Sequence, residues 1–188
     1  TEYVGTKIVL VGLPDSDMDE AKRFFLRFSD ERVLEETAVG QVLARKDGQS
    51  ARVYVAGLLI AEEEAFAFSY NIVSLNAAMR KALNRERTNV GRTAYTERVK
   101  SLLLEAKSTE VATILASELV KIQSGAGADE VQWKDVAVRA CRILNASGRY
   151  LFVTAWQLIS STNAIDHARS DGIEVITIRG GELGRGRG

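Results

Sequence analysis

The sequence contains almost none of the residues from which disulfide bonds and zinc sites are built. Its 188 residues include a single cysteine, Cys141, and a single histidine, His167. One cysteine cannot form an intramolecular disulfide, and this pair cannot complete a zinc site of three or four nitrogen and sulfur ligands. The composition therefore excludes a disulfide framework and an ordinary zinc centre, and it favours a reducing, cytoplasmic compartment.

Excess charge of one sign and long hydrophobic runs are also absent. Lys and Arg together number 25, and Asp and Glu together number 25, so the formal net charge is zero. A neutral chain does not attract nucleic acid or an anionic membrane over a long range, so any basic site must be local. No apolar run approaches the ~20 residues of a membrane-spanning helix, and the first residues do not resemble a signal peptide. We therefore expect no membrane partner.

The sequence also lacks the two glycine motifs that commonly bind nucleotide phosphates. Neither G-x-x-x-x-G-K-[ST] nor G-x-G-x-x-G occurs, which excludes an autonomous nucleotide site of those types. The acidic residues between positions 15 and 20 could imitate a magnesium site, but acids at the start of a helix usually interact with its dipole. We therefore predict no metal site, and no cofactor bound by this chain alone.

The first half of the chain has the pattern of a sheet protein with enough apolar residues for a core, since 46% of the sequence is hydrophobic. The Asp47-Gly48 turn predicts a hairpin between the strands that flank it. Strands that follow one another so closely predict an antiparallel or mixed sheet. The predicted strands cover residues 7–13, 32–37, 40–45, 51–60 and 66–72, and a helix is predicted from residue 15 to about residue 29.

The second half is mainly helical, because apolar residues recur at helical spacing after Ser74, from 95 to 103, from 111 to 122 and from 133 to 144. The pattern of strand, helix and strand over residues 150–178 then predicts two parallel strands joined by a crossover. We predict an α+β (mixed α/β) fold, with a mixed sheet of about five to six strands backed by helices and a C-terminal βαβ unit. The glycine-rich residues 179–188 predict a flexible tail.

The most informative feature is residues 82–92, which we call the arginine segment. Guanidinium groups are planar and always charged, and they bind carboxylate or phosphate oxygens in pairs. The segment is therefore either an anion site or a solvated, salt-bridged helix end. No phosphate loop, metal cluster or catalytic pair stands near it, so as an anion site it would be completed by another domain or chain. Its candidate binding residues are Asn84, Arg85, Arg87, Asn89 and Arg92.

Several other polar and aromatic residues are better explained by a structural role than by catalysis or binding. The acidic residues 62–64 are typical of a solvated turn, and His167 is typical of a helix surface. Cys141 lies on the apolar side of a predicted helix and is expected in the core. Trp133 and Trp156 are expected to anchor packing, because no basic groove surrounds either of them in sequence.

Four segments resemble part of a known family. Residues 4–10, VGTKIVL, resemble the final glycine-threonine motif and exit strand of GHKL-type ATPase domains, the fold of gyrase, mismatch-repair ATPases, heat-shock-ninety chaperones and histidine kinases. Residues 52–60, 66–72 and 82–90 look like the segment that follows this domain in bacterial ATP-binding proteins of the class. Leu83-Asn84 followed by Arg85-Glu86 is similar to the leucine-asparagine-x-x-arginine-glutamate segment of chaperone middle domains, with shorter spacing.

The resemblance implies a transducer or middle domain, which couples nucleotide state to conformational change and sends a basic residue to the terminal phosphate of ATP in a neighbouring domain. Arg85 or Arg87 would be that catalytic residue, and Asn84, Asn89 and Arg92 would orient it or bind a partner. ATP and Mg²⁺ would be bound only with the adjacent domain, so the isolated chain would not be a complete ATPase. Residues 1–104 would be the transducer-like region and residues 105–178 a helical and βαβ subdomain.

The resemblance implies that the partner is an upstream ATPase domain or a partner subunit. The partner could also be a second copy of this chain, in a homodimer. Three other functions remain open. Residues 80–100 could form a basic face that binds nucleic acid, although Glu86 and Glu97 interrupt it. A small-molecule enzyme could use Tyr70 and Asn71 with the arginines as ligand-binding residues. Alternatively, the chain could be a structural or dimerisation domain whose arginines pair with residues 62–64.

Overall fold

The structure, a computed structural model, covers most of the chain. It describes residues 11–85, 91–122 and 125–178, together with Gly5, Thr6, Ile8 and Val9. For Asn84 and Arg85 it describes the backbone only. All structural statements below refer to these residues.

The first half of the chain forms a five-stranded mixed sheet, as predicted. The strand order is β1-β2-β5-β3-β4. Neighbouring strands are antiparallel except β3 and β5, which run parallel with Val53 opposite Tyr70. The strands are β1 Val33–Glu36, β2 Gly40–Ala44, β3 Ala51–Val55, β4 Leu58–Glu63 and β5 Phe68–Ile72.

The second half is helical and ends in the predicted βαβ unit. Its last two strands, β6 Tyr150–Thr154 and β7 Glu174–Ile178, form a parallel pair. The α+β class, the mixed sheet and the C-terminal βαβ unit are therefore confirmed. The helices are α1 Asp15–Lys22, α2 Ala77–Arg85, α3 Arg92–Glu105, α4 Thr109–Ile122, α5 Lys134–Ala146, α6 Ala155–Ser160 and α7 Thr162–Ser170, and short 3-10 turns cover Leu26–Phe28 and Asp129–Gln132.

The main core lies between one face of the sheet and helices α3, α4 and α5. Val53 and Phe68 point into it from the sheet and are fully buried. The helical stripe predicted from 95 to 103 is confirmed, because Tyr95, Val99 and Leu102 are all buried against this face. Burial of each such side chain contributes about 1.5–3 kcal/mol. This core includes residues on both sides of position 104, and the predicted division there stays a prediction.

The opposite face of the sheet is more polar. Side chains alternate across a strand, so Tyr54 points away from the core that Val53 enters. Tyr54 is nevertheless fully buried, and its hydroxyl donates to Glu31 Oε1 at 3.0 Å. Burial raises the pKa of Glu31. The chain before β1 therefore contributes to the cover of this face through Glu31.

Two predictions about the strands were wrong. The strand predicted over residues 51–60 is two strands, because Ala56 and Gly57 have φ angles of 47° and 82° and make a two-residue turn. Both angles are typical of the turn that joins antiparallel strands most tightly. The hairpin predicted at Asp47-Gly48 does not form either, since β5 lies between β2 and β3. The turn reverses the chain, but burial of β5 at the centre decides which strands pair.

Two predictions about the first 30 residues were also wrong. The described residues between 7 and 13 belong to no strand, and Ile8 and Val11 are 81% and 90% exposed. The helix predicted to about residue 29 ends at Lys22. It ends there because the following backbone pairs with β4: Leu26 N donates to Gly57 O, and Leu59 N donates to Phe24 O, both at 2.8 Å.

The C-terminal unit differs from the prediction in one respect. The helix predicted over 158–170 is interrupted at Ser161, which separates α6 from α7. Trp156 on α6 is 75% exposed and does not anchor the core, so that expectation was wrong. Trp133 does pack on the core, with its ring 6.1 Å from that of Phe66. The predicted tail, residues 179–188, lies outside the described residues.

Gly40 provides a test of the close approach between strands β2 and β5. It has φ 156°, and a Cβ atom at this position would lie 2.0 Å from Asn71 O in β5. We expect Gly40→Ala to lower the free energy of unfolding by about 3 kcal/mol or more, because strand β2 must move away from the centre of the sheet. Denaturant unfolding measures the change.

Gly48→Ala is the matched control. Gly48 also has a positive φ, 70°, but a Cβ atom there would have no neighbour within 4 Å. We expect it to cost only about 1 kcal/mol, from backbone strain alone. Equal costs for the two substitutions would contradict the close approach of β2 and β5.

Candidate functional site

Part of the arginine segment lies outside the described residues. Arg87 and Asn89 are not described at all, and Asn84 and Arg85 are described only as the last backbone residues of α2. Their binding and catalytic roles stay predictions. The structure does describe Arg92, the last residue of the segment, and the two other predicted binding residues, Tyr70 and Asn71.

The two helices that flank the segment are firmly held. Met79 of α2 is fully buried in the core. The backbone N–H of Met79 donates to Asn76 Oδ1 at 2.8 Å, which satisfies a donor in the first turn of α2. Arg98 of α3 donates from Nε to Ser74 O at 2.8 Å, so α3 is tied to the chain that enters α2. The arginine segment therefore joins two fixed helices.

Arg92 begins α3 and is occupied by protein groups. Its Nε atom lies 3.3 Å from Glu63 Oε1, and its Nη2 atom donates to Asp129 Oδ2. Its guanidinium carbon lies 5.0 Å from the ring centre of Phe66, in the geometry of a cation–π contact. The hydrogen bond to Asp129 is the main reason that the pKa of Arg92 is raised. We call Arg92, Glu63, Asp129 and Phe66 the Arg92 clasp.

Glu63 is part of this network, so the prediction of a solvated turn at 62–64 was wrong for this residue, whereas Glu62 and Glu64 are exposed. The residue lies at the end of β4, and its side chain is only 14% exposed. It accepts a hydrogen bond from the hydroxyl of Tyr95, one turn into α3. Burial and then this hydrogen bond raise the pKa of Tyr95. Glu63 therefore links the edge strand to the start of α3 through two side chains.

Glu130 is the most unusual residue near the clasp, because it is a carboxylate with no exposed surface. Its Oε1 atom accepts from the hydroxyl of Tyr70 at 2.8 Å and from the backbone N–H of Ala67 at 2.9 Å. The backbone N–H of Phe68 donates to the same atom at 3.4 Å. Burial raises the pKa of Glu130 to about 7. The residue fastens the 3-10 turn Asp129–Gln132 to the start of β5.

Tyr70 and Asn71 are neighbours in β5 but point to opposite faces. Tyr70 has no exposed surface, and its hydroxyl is bonded to Glu130. Asn71 is 8% exposed and uses both ends of its amide: Nδ2 donates to Gln41 Oε1, and Oδ1 accepts from Gly57 N, both at 2.9 Å. The structure thus gives each residue a structural partner and does not bring both to one surface. Their predicted ligand-binding roles stay predictions.

Sequence reasoning missed Asp129 and Glu130 as important residues. They follow a glycine-rich loop and precede Val131 and Trp133, and nothing in that order distinguishes a buried acid from a solvated one. The expectations for two other residues are confirmed. Cys141 is buried in the core, and the His167 side chain is 80% exposed on α7.

An apolar surface lies between α1 and the edge strand β4. It borders a groove of about 570 Å³ lined by Ala21, Phe24, Phe25 and residues 58–62. We call its most exposed large side chains the phenylalanine surface. These are Phe24, Phe25, Phe28 and Leu58, with exposed fractions of 48%, 43%, 55% and 41%.

A second cleft, of about 500 Å³, lies between the turn at 46–48 and α4 and is polar. Arg45, one of its cations, is used by the fold: it donates to the carbonyl oxygens of Gln49, Glu64 and Phe66 at 2.7–2.9 Å. Across the described ranges, no group of three or more His, Cys, Asp and Glu side chains could hold a metal ion. In the same ranges, no helix has both the length and the apolar character to cross a membrane.

Comparison with known proteins connects this chain to mycoplasma sequences. Residues 16–109, half of the chain, match the family model described as the Mycoplasma pneumoniae MPN635 N-terminal domain. An uncharacterised protein of Mycoplasma pneumoniae is 31% identical over 163 residues, which are 86% of this chain and 44% of the relative. A second uncharacterised protein of that organism is 30% identical over 100 residues, which are 53% of this chain and 40% of the relative. The chain thus spans less than half the length of these relatives, and no solved structure matches it.

The buried carboxylate predicts an unusual pH dependence of stability. Because burial raises the pKa of Glu130 from its ordinary value of 4.5 to about 7, the native state keeps this proton where the unfolded chain has lost it. Its contribution to stability is therefore complete below about pH 4.5 and is lost as pH rises through about 7. In the wild type, the free energy of unfolding should therefore fall by roughly 3 kcal/mol over this pH range because of Glu130. We expect this fall to be absent from Glu130→Gln, whose side chain cannot ionise.

Denaturant unfolding of both proteins between pH 4 and 8 measures this difference. Glu110→Gln is the control, because Glu110 is an exposed partner of Arg32. We expect the control to retain the fall in stability between pH 4.5 and 7. A constant difference between wild type and Glu130→Gln over this range would show that Glu130 does not titrate as described.

Proposed function

The chain belongs to the family of the Mycoplasma pneumoniae MPN635 N-terminal domain, and we propose that it is a non-catalytic module that couples the nucleotide state of an adjoining ATP-binding domain to conformational change. The observation that carries this proposal is the phenylalanine surface, together with the exposed apolar side chains of Ile8, Val9 and Val11. The resemblance to GHKL-type proteins supplies the class of the partner.

The exposed apolar groups favour a protein partner. Large apolar side chains that cluster on a surface typically mark an interaction site. The phenylalanine surface borders β4, which is an edge strand of the sheet. On its outer side β4 is paired by Phe24–Leu26 at its first residues only, within the described part of the chain. Ile8 and Val11, which precede α1, expose further apolar surface that an adjoining domain would bury.

The arginine segment supplies the proposed coupling. A guanidinium group that contacts the terminal phosphate of ATP stabilises the negative charge that develops while the phosphoryl group is transferred. Arg85 or Arg87 would make this contact from between α2 and α3, whose positions are fixed by the core. When the partner moves relative to this frame, the contact forms or breaks, which links nucleotide state to domain position.

The described basic residues support a protein partner over nucleic acid. Arg80 donates to Leu75 O at 2.8 Å, and Arg98 donates to Ser74 O at 2.8 Å. Lys100 lies 3.3 Å from Asp135, and Arg92 is held in its clasp. Four cations of the face between residues 80 and 100 thus already have protein acceptors. Phosphate contacts from nucleic acid would have to compete with these partners.

ATP hydrolysis tests the proposal. We expect little activity from the chain alone and activity when the chain is joined to the proposed ATP-binding domain. Replacing Arg85 and Arg87 by alanine should then lower kcat by about 10³-fold or more, because the developing phosphate charge loses its partner. Arg169→Ala is the control, since Arg169 lies on α7 and is 55% exposed. Equal hydrolysis by the joined protein without Arg85 and Arg87 would contradict the coupling role.

The phenylalanine surface gives an independent prediction. We expect Phe24→Gln with Phe28→Gln to raise the Kd for the separate ATP-binding domain by about tenfold or more, because buried aromatic residues dominate interface energies. Both side chains are about half exposed, so the fold should keep most of its stability. Isothermal titration calorimetry measures the Kd.

Trp156→Gln is the matched control, because Trp156 is an exposed aromatic residue on α6, outside this surface. It should leave the Kd unchanged. If the control weakens binding more than the paired phenylalanine substitutions do, the partner binds at the C-terminal unit and the proposed surface is wrong.

A further inference from the structure

The geometry points to Arg92 as a positioning residue: it fixes the C-terminal end of the arginine segment and leaves the phosphate contact to the arginines before it. This inference rests on the proposed function for its consequence in catalysis. The anchoring itself concerns only contacts within this chain. The sequence left two roles open for Arg92, which would either orient the catalytic arginine or bind a partner.

The three partners of Arg92 in the clasp lie in three separate parts of the fold. Glu63 closes β4, Phe66 lies between β4 and β5, and Asp129 begins the 3-10 turn before α5. Arg92 contacts all three at once. A residue at the first position of α3 is thereby tied to the sheet and to the chain that leads into α5.

The electrostatics of the clasp do not suit a phosphate ligand. Two carboxylates, Glu63 and Asp129, surround one guanidinium group, so the three side chains together carry a net charge of −1. An incoming phosphate would also be repelled by the two carboxylates that lie beside Arg92, because like charges at close range repel. For Arg92 to bind a phosphate, it would also have to leave both carboxylates without their partner.

The carboxylates are themselves held in place. Glu63 also accepts a hydrogen bond from the hydroxyl of Tyr95. The Asp129 side chain accepts from Gln132 Nε2 at 2.9 Å, and its backbone N–H donates to Ala65 O at 2.9 Å. The next residue, Glu130, is fixed in the core. Arg92 is therefore bound to acceptors whose own positions are determined by the fold.

The location of Arg92 in the chain gives the anchor its consequence. Gly91 is the cap of α3 and Arg92 its first residue, so the clasp sets where the helix begins. Six residues after Arg92 on the same helix, Arg98 donates a hydrogen bond to Ser74 O, just before α2. The helices on both sides of the arginine segment are thereby attached to the fold. In the proposed complex, a side chain of the segment would reach its ligand with less loss of freedom, which is how preorganised sites gain rate.

Hydrogen exchange of the 188-residue chain tests the anchor without any nucleotide. We expect Arg92→Met and Asp129→Asn each to speed amide exchange of residues 91–95 by about tenfold, because the first turn of α3 loses its attachment. The double variant should exchange no faster than Arg92→Met, since both changes break the same contact. Arg92→Lys, which keeps one charge pair, should be intermediate. Exchange in β5 should not change, which separates local release from general unfolding.

Asp166→Asn is the matched control, because it removes a carboxylate from an exposed pair with Arg169 on α7. It should leave exchange at 91–95 unchanged. Wild-type exchange at 91–95 in Asp129→Asn would overturn the anchoring role of Arg92.

ATP hydrolysis by the joined protein separates positioning from direct binding. If Arg92 acts through position, Arg92→Met and Asp129→Asn should lower kcat to a similar extent, by about tenfold, with little change in KM for ATP. If Arg92 bound the phosphate itself, Asp129→Asn would release it and activity would not fall, which overturns the inference. Faster exchange at 91–95 with unchanged hydrolysis would support the anchor but overturn its role in positioning the catalytic arginines. The proposed function itself fails only if replacing Arg85 and Arg87 leaves hydrolysis unchanged. The two failures are therefore distinguishable.

Discussion

The structure depends most on one buried carboxylate. Glu130 has no exposed surface and binds the hydroxyl of Tyr70 and the N–H groups of Ala67 and Phe68. Its charge is costly to bury, which is why its pKa is raised, but the donors at the start of β5 would be unsatisfied without it. Through this residue the loop between α4 and α5 is fastened to the central strand. The neighbouring Asp129 points the other way and holds Arg92, so one short 3-10 turn joins the core to the end of the arginine segment.

The two faces of the sheet have different roles. Helices α3, α4 and α5 fill one face with apolar side chains, which gives the arginine segment a fixed support. The other face is contacted by Glu31 from the chain before β1, and the phenylalanine surface stays exposed next to edge strand β4. A module that must bind a neighbour and hold a catalytic side chain needs both properties, a rigid frame and an exposed apolar contact. This division of the fold is what supports the proposed coupling role.

The sequence predicted the elements whose periodicity is set by a single buried face. The stripes of α3 and α4 and the bounds of β6 follow from such spacing, and the structure confirms them. It did not predict strand pairing, because the Asp47-Gly48 turn carries no information about β5, a strand that lies later in the chain and inserts between β2 and β3. The buried Glu130 and the clasp of Arg92 were missed for the same reason. Their partners are distant in sequence, and a charged side chain shows its burial only when the fold brings those partners together.

The most direct measurement is a structure of the chain bound to its ATP-binding domain and a non-hydrolysable ATP analogue. We predict Arg85 or Arg87 within hydrogen-bond distance of the terminal phosphate, the phenylalanine surface buried against the partner, and Arg92 still bonded to Asp129 and Glu63. A complex in which Arg92 has left its carboxylates for the phosphate would contradict its positioning role. A complex in which no residue of the arginine segment approaches the nucleotide would contradict the coupling function.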